Sequence, residues 1–318
     1  MHVLITGAAG MLGQKLTARL AQEGGVEKFT LADLTEPYAP ETFTGQVIAR
    51  AVDISDAQTV TRLLDDRPDV IFHLAAIVSG EAEQDFAKGN AINLGGTRNL
   101  LEAVRAHAER SGYRPRFVFS SSIAVFGGPL PPVIEDDQRL TPASSYGTQK
   151  AIGELMIADY TRKGYIDGIS LRLPTITVRP GKPNKAASSF YSGIIREPLN
   201  GMEAILPVPK TVRHWFASPR TAIRFLEHAG RADLAGCPAN RALSLPGVSA
   251  TVGEMIEALR RVGGDGAVQF IREKPDPLVQ NVVMGWPQSF NPKAAIKLGF
   301  VAETSFDEII RVYLEDDK

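Results

Sequence analysis

The sequence predicts an α/β chain: a doubly wound parallel sheet with a smaller C-terminal α/β region. Three observations carry this. Short apolar runs alternate with helix-period segments from the first residues to about Leu173. A glycine-spaced turn, Gly7-Ala-Ala-Gly10-Met11-Leu12-Gly13, separates the first run from the first helix. Beyond Pro174 the alternation breaks into shorter pieces punctuated by proline.

The first strand is His2 to Thr6, short, apolar and rich in branched residues. Leu12, Leu16 and Leu20 then recur at helical spacing. A strand, a glycine turn and a helix present backbone N–H groups and a helix N-terminus to a phosphate. Gly7 can make the tight turn, Gly10 lets the backbone approach a pyrophosphate, and Gly13 lets the helix lie close. Glycines also simply end strands; placement between strand and helix favours the nucleotide reading. Phe29 to Asp33 reads as the second strand and Gln46 to Val52 as the third. Asp56 to Asp65 is helical, Val70 to Ala76 a fourth strand, and Asn93 to Ala108 a long helix striped by Leu100, Leu101 and Val104. Arg116 to Ser120, a helix over Ser145 to Lys163, and Gly168 to Leu173 complete a Rossmann-type alternation. Ligands in such sheets bind beyond the C-terminal strand ends. Further on, helices are expected over Ser189–Arg196, Arg220–His228, Val252–Val262, Asn291–Leu298 and Phe306–Leu314, with a strand at Leu243–Leu245. The expected division is an NAD-binding unit at 1–175 and a substrate-binding region at 176–318, with room for the chain to cross back.

The chain has 318 residues, 44% hydrophobic and 22% charged, the balance of a globular enzyme. A net charge of −1 gives no global attraction to nucleic acid or an anionic membrane. Cys237 is the sole cysteine, so an intrachain disulfide and a cysteine metal cluster are excluded. His, Cys and carboxylate spacings suggest no metal site. No signal peptide and no membrane-length apolar run is read, so a cytoplasmic location is expected.

Asp33 closes the second strand twenty residues beyond Gly13. A carboxylate there can accept from both ribose hydroxyls of an adenosine, and it repels a 2′-phosphate. Leu34 supplies no compensating cation, which favours NAD over NADP. A turn or helix-capping role is the competing reading. Asp53 and Ile54, after the third strand, could meet the adenine edge. Tyr146 and Lys150 form Y-x-x-x-K, one face of a helix near the crevice mouth. An ammonium beside a phenol lowers its pKa and prepares it to take a hydroxyl proton. On a solvated face the two would be a surface pair. Ser120 to Ser122 ends the fifth strand and can hold a substrate oxygen, or only satisfy backbone. His73, inside its strand, reads as a core histidine.

In this order the glycine spacing, Asp33, His73-Leu-Ala-Ala76, Asn93-Leu-Gly-Gly-Thr97, Ser120–Ser122, Tyr146/Lys150 and Arg172-Leu-Pro174 resemble the extended short-chain dehydrogenases/reductases. The resemblance covers about residues 1–180. It implies that Ser122 is the catalytic serine, Tyr146 the acid/base, and Lys150 a ligand of the nicotinamide ribose. It implies a backbone–water relay at Asn93, and cofactor contacts at Met11, Leu12, Leu74, Ala75, Ala76 and Pro174. It also implies a homodimer through the helices at 93–108 and 145–163, where Ile152, Leu155, Met156 and Tyr160 form an apolar stripe; the stripe by itself reads as core.

Departures narrow the substrate. Nucleotide-sugar epimerases and dehydratases of the family carry Tyr-Gly where this chain has Phe126-Gly127. They carry asparagine where this chain has Thr175, and a following glycine is missing. The stretch from Arg172 to Gly193 resembles a group within the family that oxidises the 2-hydroxyl of a four-carbon sugar acid such as D-erythronate with NAD. A small aldonate needs a cation for its carboxylate and polar groups for its hydroxyls. Arg179, Lys182 and Lys185 supply cations, and Asn184, Ser188 and Ser189 supply hydrogen bonds. Arg213-His214 offers a second cation site, and Ser79 faces either nicotinamide or substrate. The expected partner is a small sugar acid, with oxidation at C2. The alternatives are a nucleotide-sugar epimerase or dehydratase with bound NAD, and a redox sensor without catalysis. Retention of Ser122, Tyr146 and Lys150 argues against the sensor.

Overall fold

The computed structural model describes residues 1–181 and 187–318. β1 (His2–Thr6) leads into α1 (Met11–Glu23), β2 (Lys28–Asp33), β3 (Gln46–Ala51), α2 (Ala57–Leu63) and β4 (Val70–His73). Two short helices follow, α3 (Ser79–Gln84) and α4 (Phe86–Gly89). A π-helical stretch, Asn90–Gly96, then runs into α5 (Thr97–Ser111). β5 (Arg116–Ser122), β6 (Ile134–Glu135), α6 (Ser145–Arg162), β7 (Asp167–Leu173) and β8 (Thr175–Ile176) come next. The rest of the chain forms α7 (Ser189–Leu199), β9 (Ala204–Leu206), β10 (Arg213–Ala217), α8 (Pro219–Arg231), β11 (Ala242–Ser244) and β12 (Val248–Thr251). It ends with α9 (Val252–Gly263), α10 (Asp265–Val268), β13 (Ile271–Glu273), α11 (Pro277–Val283), β14 (Phe290–Asn291), α12 (Lys293–Lys297) and α13 (Phe306–Asp316).

Seven parallel strands form the central sheet in the order β11-β7-β5-β4-β1-β2-β3. Chain order reverses between β1 and β4, which opens a crevice at their C-terminal ends. Side chains alternate across the sheet. Val3 and Ile5 pack with Leu16, Leu20, Ile223, Phe225 and Leu226 beneath α1 and α8. Leu4 and Ile71 pack the other way, with Val60, Leu100, Leu101, Val104 and Ile157 of α2, α5 and α6. Both faces are covered, as the apolar strand runs require.

A separate core joins Tyr191, Ile194 and Ile195 of α7 to Phe216, Met255, Leu259, Ile309 and Ile310. A three-stranded sheet, β12-β10-β8, borders it. The chain crosses back beyond residue 175: α8 covers the main sheet, and β11 extends it beside β7. Local signals fix these late elements. Ser218 caps α8 by accepting from the Thr221 N–H at 3.0 Å, with Pro219 at the first helical position. Thr251 and Glu254 form a reciprocal capping box on α9.

Of the boundaries that differ from those the sequence suggests, two bear on the crevice. β4 stops at His73, not Ala76, because Leu74 and Ala75 turn away to meet the Gly7 loop. The helix at 93 begins earlier, as the π-helical turn, before regular α-helix starts at Thr97.

Candidate active site

At the end of β1 the chain doubles back over the sheet edge. Gly7 has φ +77°, and a Cβ there would lie 2.6 Å from the Ala75 nitrogen. A Cβ on Gly13 would lie 2.2 Å from the Gly7 carbonyl oxygen, so only glycine lets α1 start this close to the turn. Gly10 is the N-cap of α1. It has no capping side chain, and the first turn carries no acidic residue. The N–H groups of Met11, Leu12 and Gly13 at this helix start have no intrahelical acceptor. The cradle therefore fits a pyrophosphate on backbone donors.

Asp33 accepts from the Ala9 N–H at 2.9 Å and from the Leu34 N–H at 2.7 Å. It ties the glycine turn to β2 while staying half-buried at the crevice rim, and Leu34 beside it is exposed and uncharged. Asp53 is held in a turn, accepting from Ser55 N–H at 2.9 Å and Ser55 Oγ at 2.7 Å. Ile54 is buried where a Gly96 Cβ would stand, so its side chain packs against α5's approach. Leu74, Ala75 and Ala76 are half-buried beside the Gly7 turn, and Pro174 follows β7.

β5 and α6 deliver the chemistry. Ser122 ends β5 opposite Leu173 of β7. Its Oγ accepts from the Ala124 N–H at 3.1 Å. Its hydroxyl favours the phenolate of Tyr146. Tyr146 and Lys150 sit one turn apart in the first part of α6, whose N-cap Ser144 accepts from Gly147 N–H. Lys150 Nζ lies 4.8 Å from the Phe119 ring centroid and 5.6 Å from that of Tyr146. Burial pushes the Lys150 ammonium down to about 7, against an upward pull from Glu154. Burial pushes the Tyr146 phenol up to about 12, against the downward pull of Ser122. The expectation that Lys150 lowers Tyr146 is thus corrected for the chain alone. The lysine is desolvated as well, and Ser122 supplies the lowering contact.

Behind these groups lies polar scaffolding. Asn93 is buried, and its side chain is fully used. Oδ1 accepts from the Ile77 N–H at 2.8 Å, and Nδ2 donates to Gln149 Oε1 at 2.8 Å and to Ile77 O at 3.2 Å. Its carbonyl accepts from Thr97 Oγ1 at 2.7 Å. His73 bridges Thr6 Oγ1 at 2.7 Å and Thr97 Oγ1 at 2.8 Å; burial drives its pKa down to about 3. It is a neutral core histidine, as its place within the strand suggested. Gln149, which sequence reasoning passed over, is buried with Nε2 unpartnered. Its place between Tyr146 and Lys150 was the available signal. Glu154, also passed over, is one turn beyond Lys150. It holds Arg172 through Nη2–Oε2 at 2.7 Å and Nε–Oε1 at 2.9 Å, and accepts from Ser121 Oγ at 2.5 Å.

The substrate candidates divide. Arg179 is half-buried. Its N–H donates to Ser192 Oγ at 3.1 Å and its carbonyl accepts from Arg196 Nη1 at 2.6 Å. No carboxylate among the described residues pairs with its guanidinium; burial and the like charge of Arg196 both press its pKa down. Arg213 is committed elsewhere: Nη2 meets Glu254 at 3.2 Å and Nη1 reaches Ser249 O at 3.3 Å. His214, read from sequence as part of a cation site, is instead buried and neutral, its pKa driven down to about 4 by burial. Thr175 is half-buried on β8 and bonds His214 Nε2 at 2.6 Å. Ser79 begins α3 and Ser188 precedes α7 without capping it through its side chain. Lys182, Asn184 and Lys185 lie outside the described residues.

The model of the NAD dependent epimerase/dehydratase family matches residues 3–216. D-erythronate dehydrogenase of Cupriavidus necator is 46% identical, over 99% of this chain and 98% of that protein. D-erythronate dehydrogenase of Haemophilus influenzae is 42% identical over the full length of both. Among solved structures, one described as the nucleoside-diphosphate-sugar epimerase from Agrobacterium tumefaciens is 57% identical. It has a TM-score of 0.97 and covers 99% of this chain and 94% of that one.

Proposed function

The chain belongs to the NAD dependent epimerase/dehydratase family, and we propose that it oxidises the C2 hydroxyl of a small sugar acid, D-erythronate to 2-oxo-D-erythronate, with NAD. The observation that carries this reading is Arg179, whose guanidinium pairs with no carboxylate among the described residues and which lies six residues past Leu173, the register partner of Ser122. An acid substrate supplies the carboxylate that the guanidinium lacks, in a bidentate geometry that arginine favours. Ser122 and Thr175 hold hydroxyls, with Ser79 and Ser188 at the rim. Ser122 orients the C2 oxygen, and the Tyr146 phenolate takes its proton. Lys150 binds the nicotinamide ribose. Gly7 to Gly13 and Asp33 hold the dinucleotide, and the uncharged Leu34 leaves a 2′-phosphate without a partner. Bound NAD supplies the hydride acceptor at its nicotinamide C4. A homodimer through α5 and α6 belongs to the same proposal.

The experiment is a substrate panel of four- to six-carbon aldonates with NAD and with NADP, read as reduced cofactor. D-erythronate with NAD is expected to lead. Tyr146→Phe should lose about 10²–10⁴-fold in kcat. Arg179→Gln should raise KM for the acid about ten- to a hundredfold, the scale of one charge-assisted hydrogen bond. Undiminished turnover in Tyr146→Phe would sink the mechanism. A second reading, nucleotide-sugar epimerisation, takes its support from the description of the 57% identical structure. Turnover of a nucleotide-sugar without net NAD reduction, and none of the acids, would establish it instead.

A further inference from the structure

Thr175 and His214 form a polar pair with a fixed direction. His214 Nδ1 lies 2.9 Å from the Pro287 carbonyl oxygen, and a carbonyl only accepts. The ring proton is therefore on Nδ1, and the neutral ring has a bare Nε2. Thr175 Oγ1 lies 2.6 Å from that Nε2, so the threonine is the donor. The ring has no freedom to reverse this. His214 is buried, stacked on Tyr191 at 5.4 Å and 7°, with Phe216 at its edge at 5.3 Å and Trp286 at 5.1 Å. Burial keeps it neutral at ordinary pH.

The consequence falls on the other side of Thr175. It stands two residues past Leu173, the register partner of Ser122, and is half-buried. Its single hydrogen is taken by His214, so toward any other partner its oxygen is only an acceptor. An asparagine there could offer either a donor or an acceptor; this threonine cannot. We propose that His214 is a positioning residue that locks Thr175 as an acceptor for a donating hydroxyl of the substrate beyond the reacting carbon. This rests on the sugar-acid reading for the identity of the substrate, not for the direction of the bond. The site then discriminates against acids that lack a hydroxyl at that point, because they leave the Thr175 oxygen desolvated and unpaired.

Two measurements test it. In the full chain labelled with 15N-histidine, two-bond 1H–15N correlations report the His214 tautomer. Protonated Nδ1 and bare Nε2 are expected, with the Nε2 resonance moving in Thr175→Val. An Nε2-protonated ring overturns the assignment. The second readout is the ratio of kcat/KM for D-erythronate to that for 2-hydroxybutanoate, which lacks both distal hydroxyls. Thr175→Val and His214→Phe should each lower this ratio about tenfold, Thr175→Ser should restore it, and the double variant should be no worse than Thr175→Val. An unchanged ratio in Thr175→Val, or additive losses in the double variant, overturns the proposal. Should His214→Phe fail to fold, the Thr175→Val and Thr175→Ser pair with the wild-type tautomer decides it. A wild-type chain that oxidises none of the acids overturns the functional reading, while the tautomer still decides the direction of the bond.

Discussion

Burial acts on Tyr146 and Lys150 in opposite senses. It disfavours the charged form of each, so the phenol rises to about 12 and the ammonium falls to about 7. The proton acceptor in oxidation is the phenolate, so kcat/KM should climb with pH through the neutral range. Ser122 draws the tyrosine pKa down. Ser122→Ala removes that contact, raises the tyrosine further, and moves the rising limb to higher pH. Well below the phenol pKa the titration part of the rate loss is a constant factor; it shrinks only as pH nears that pKa, while the loss of substrate orientation persists. Profiles of both proteins, carried to the highest pH at which each stays folded, check this; a limb that bends over at the same pH in both would remove Ser122 from the titration. These three residues were legible in the sequence because they are close in the chain or at a strand end. The values they take were not. The Lys150 value depends on burial beside Phe119 and on the opposing charge of Glu154, and a spacing rule contains neither.

α6 is held to the sheet by more than its apolar face. Glu154 and Arg172 are both 3% exposed and share a bidentate pair, with Arg172 lying 5.1 Å from the Phe126 ring centroid. The pair fixes the helix against β7 directly behind Lys150. Removing one member leaves a buried charge without its partner, a loss of about 3–5 kcal/mol. Glu154→Gln should show this in urea unfolding. Glu154→Leu with Arg172→Met should recover much of it, because two well-packed apolar groups need no partner. A double variant as unstable as the single one would show that the pair does more than neutralise charge. The helix itself was readable from its period, and Arg172 was visible as part of a motif. Their union was not, because in sequence Glu154 is one charge among many on a long helix. β10 was missed for a related reason. Its five residues, Arg213 to Ala217, carry a cation and a histidine that read as a binding site, whereas pairing with β8 and β12 makes them a strand.

At the scale of the molecule, the first half was legible because each strand and helix of a parallel sheet buries a continuous apolar run. The second half depends on contacts between distant segments, such as Phe216 with Phe306 at 5.4 Å and Tyr191 with His214, that no local pattern announces. The same distinction bears on association. The stripe expected on α6 divides in the folded chain. Met156 and Tyr160 lean on the core and Tyr160 donates to Glu102 of α5, whereas Leu155 is 66% exposed and Ile152 37%. An exposed leucine alone is unremarkable. Two apolar groups one turn apart on a helix whose neighbour is α5 give a face that a second copy can cover by the same face, the arrangement a two-fold dimer requires. Light scattering on the eluting protein should give a mass of two chains. Leu155→Glu, which places a charge where both copies meet, should shift the population to single chains while leaving the melting of the monomer fold nearly intact, since Leu155 contributes little to the core. A single-chain mass for the unaltered protein, or a Leu155→Glu variant that remains paired, would move the interface off this face.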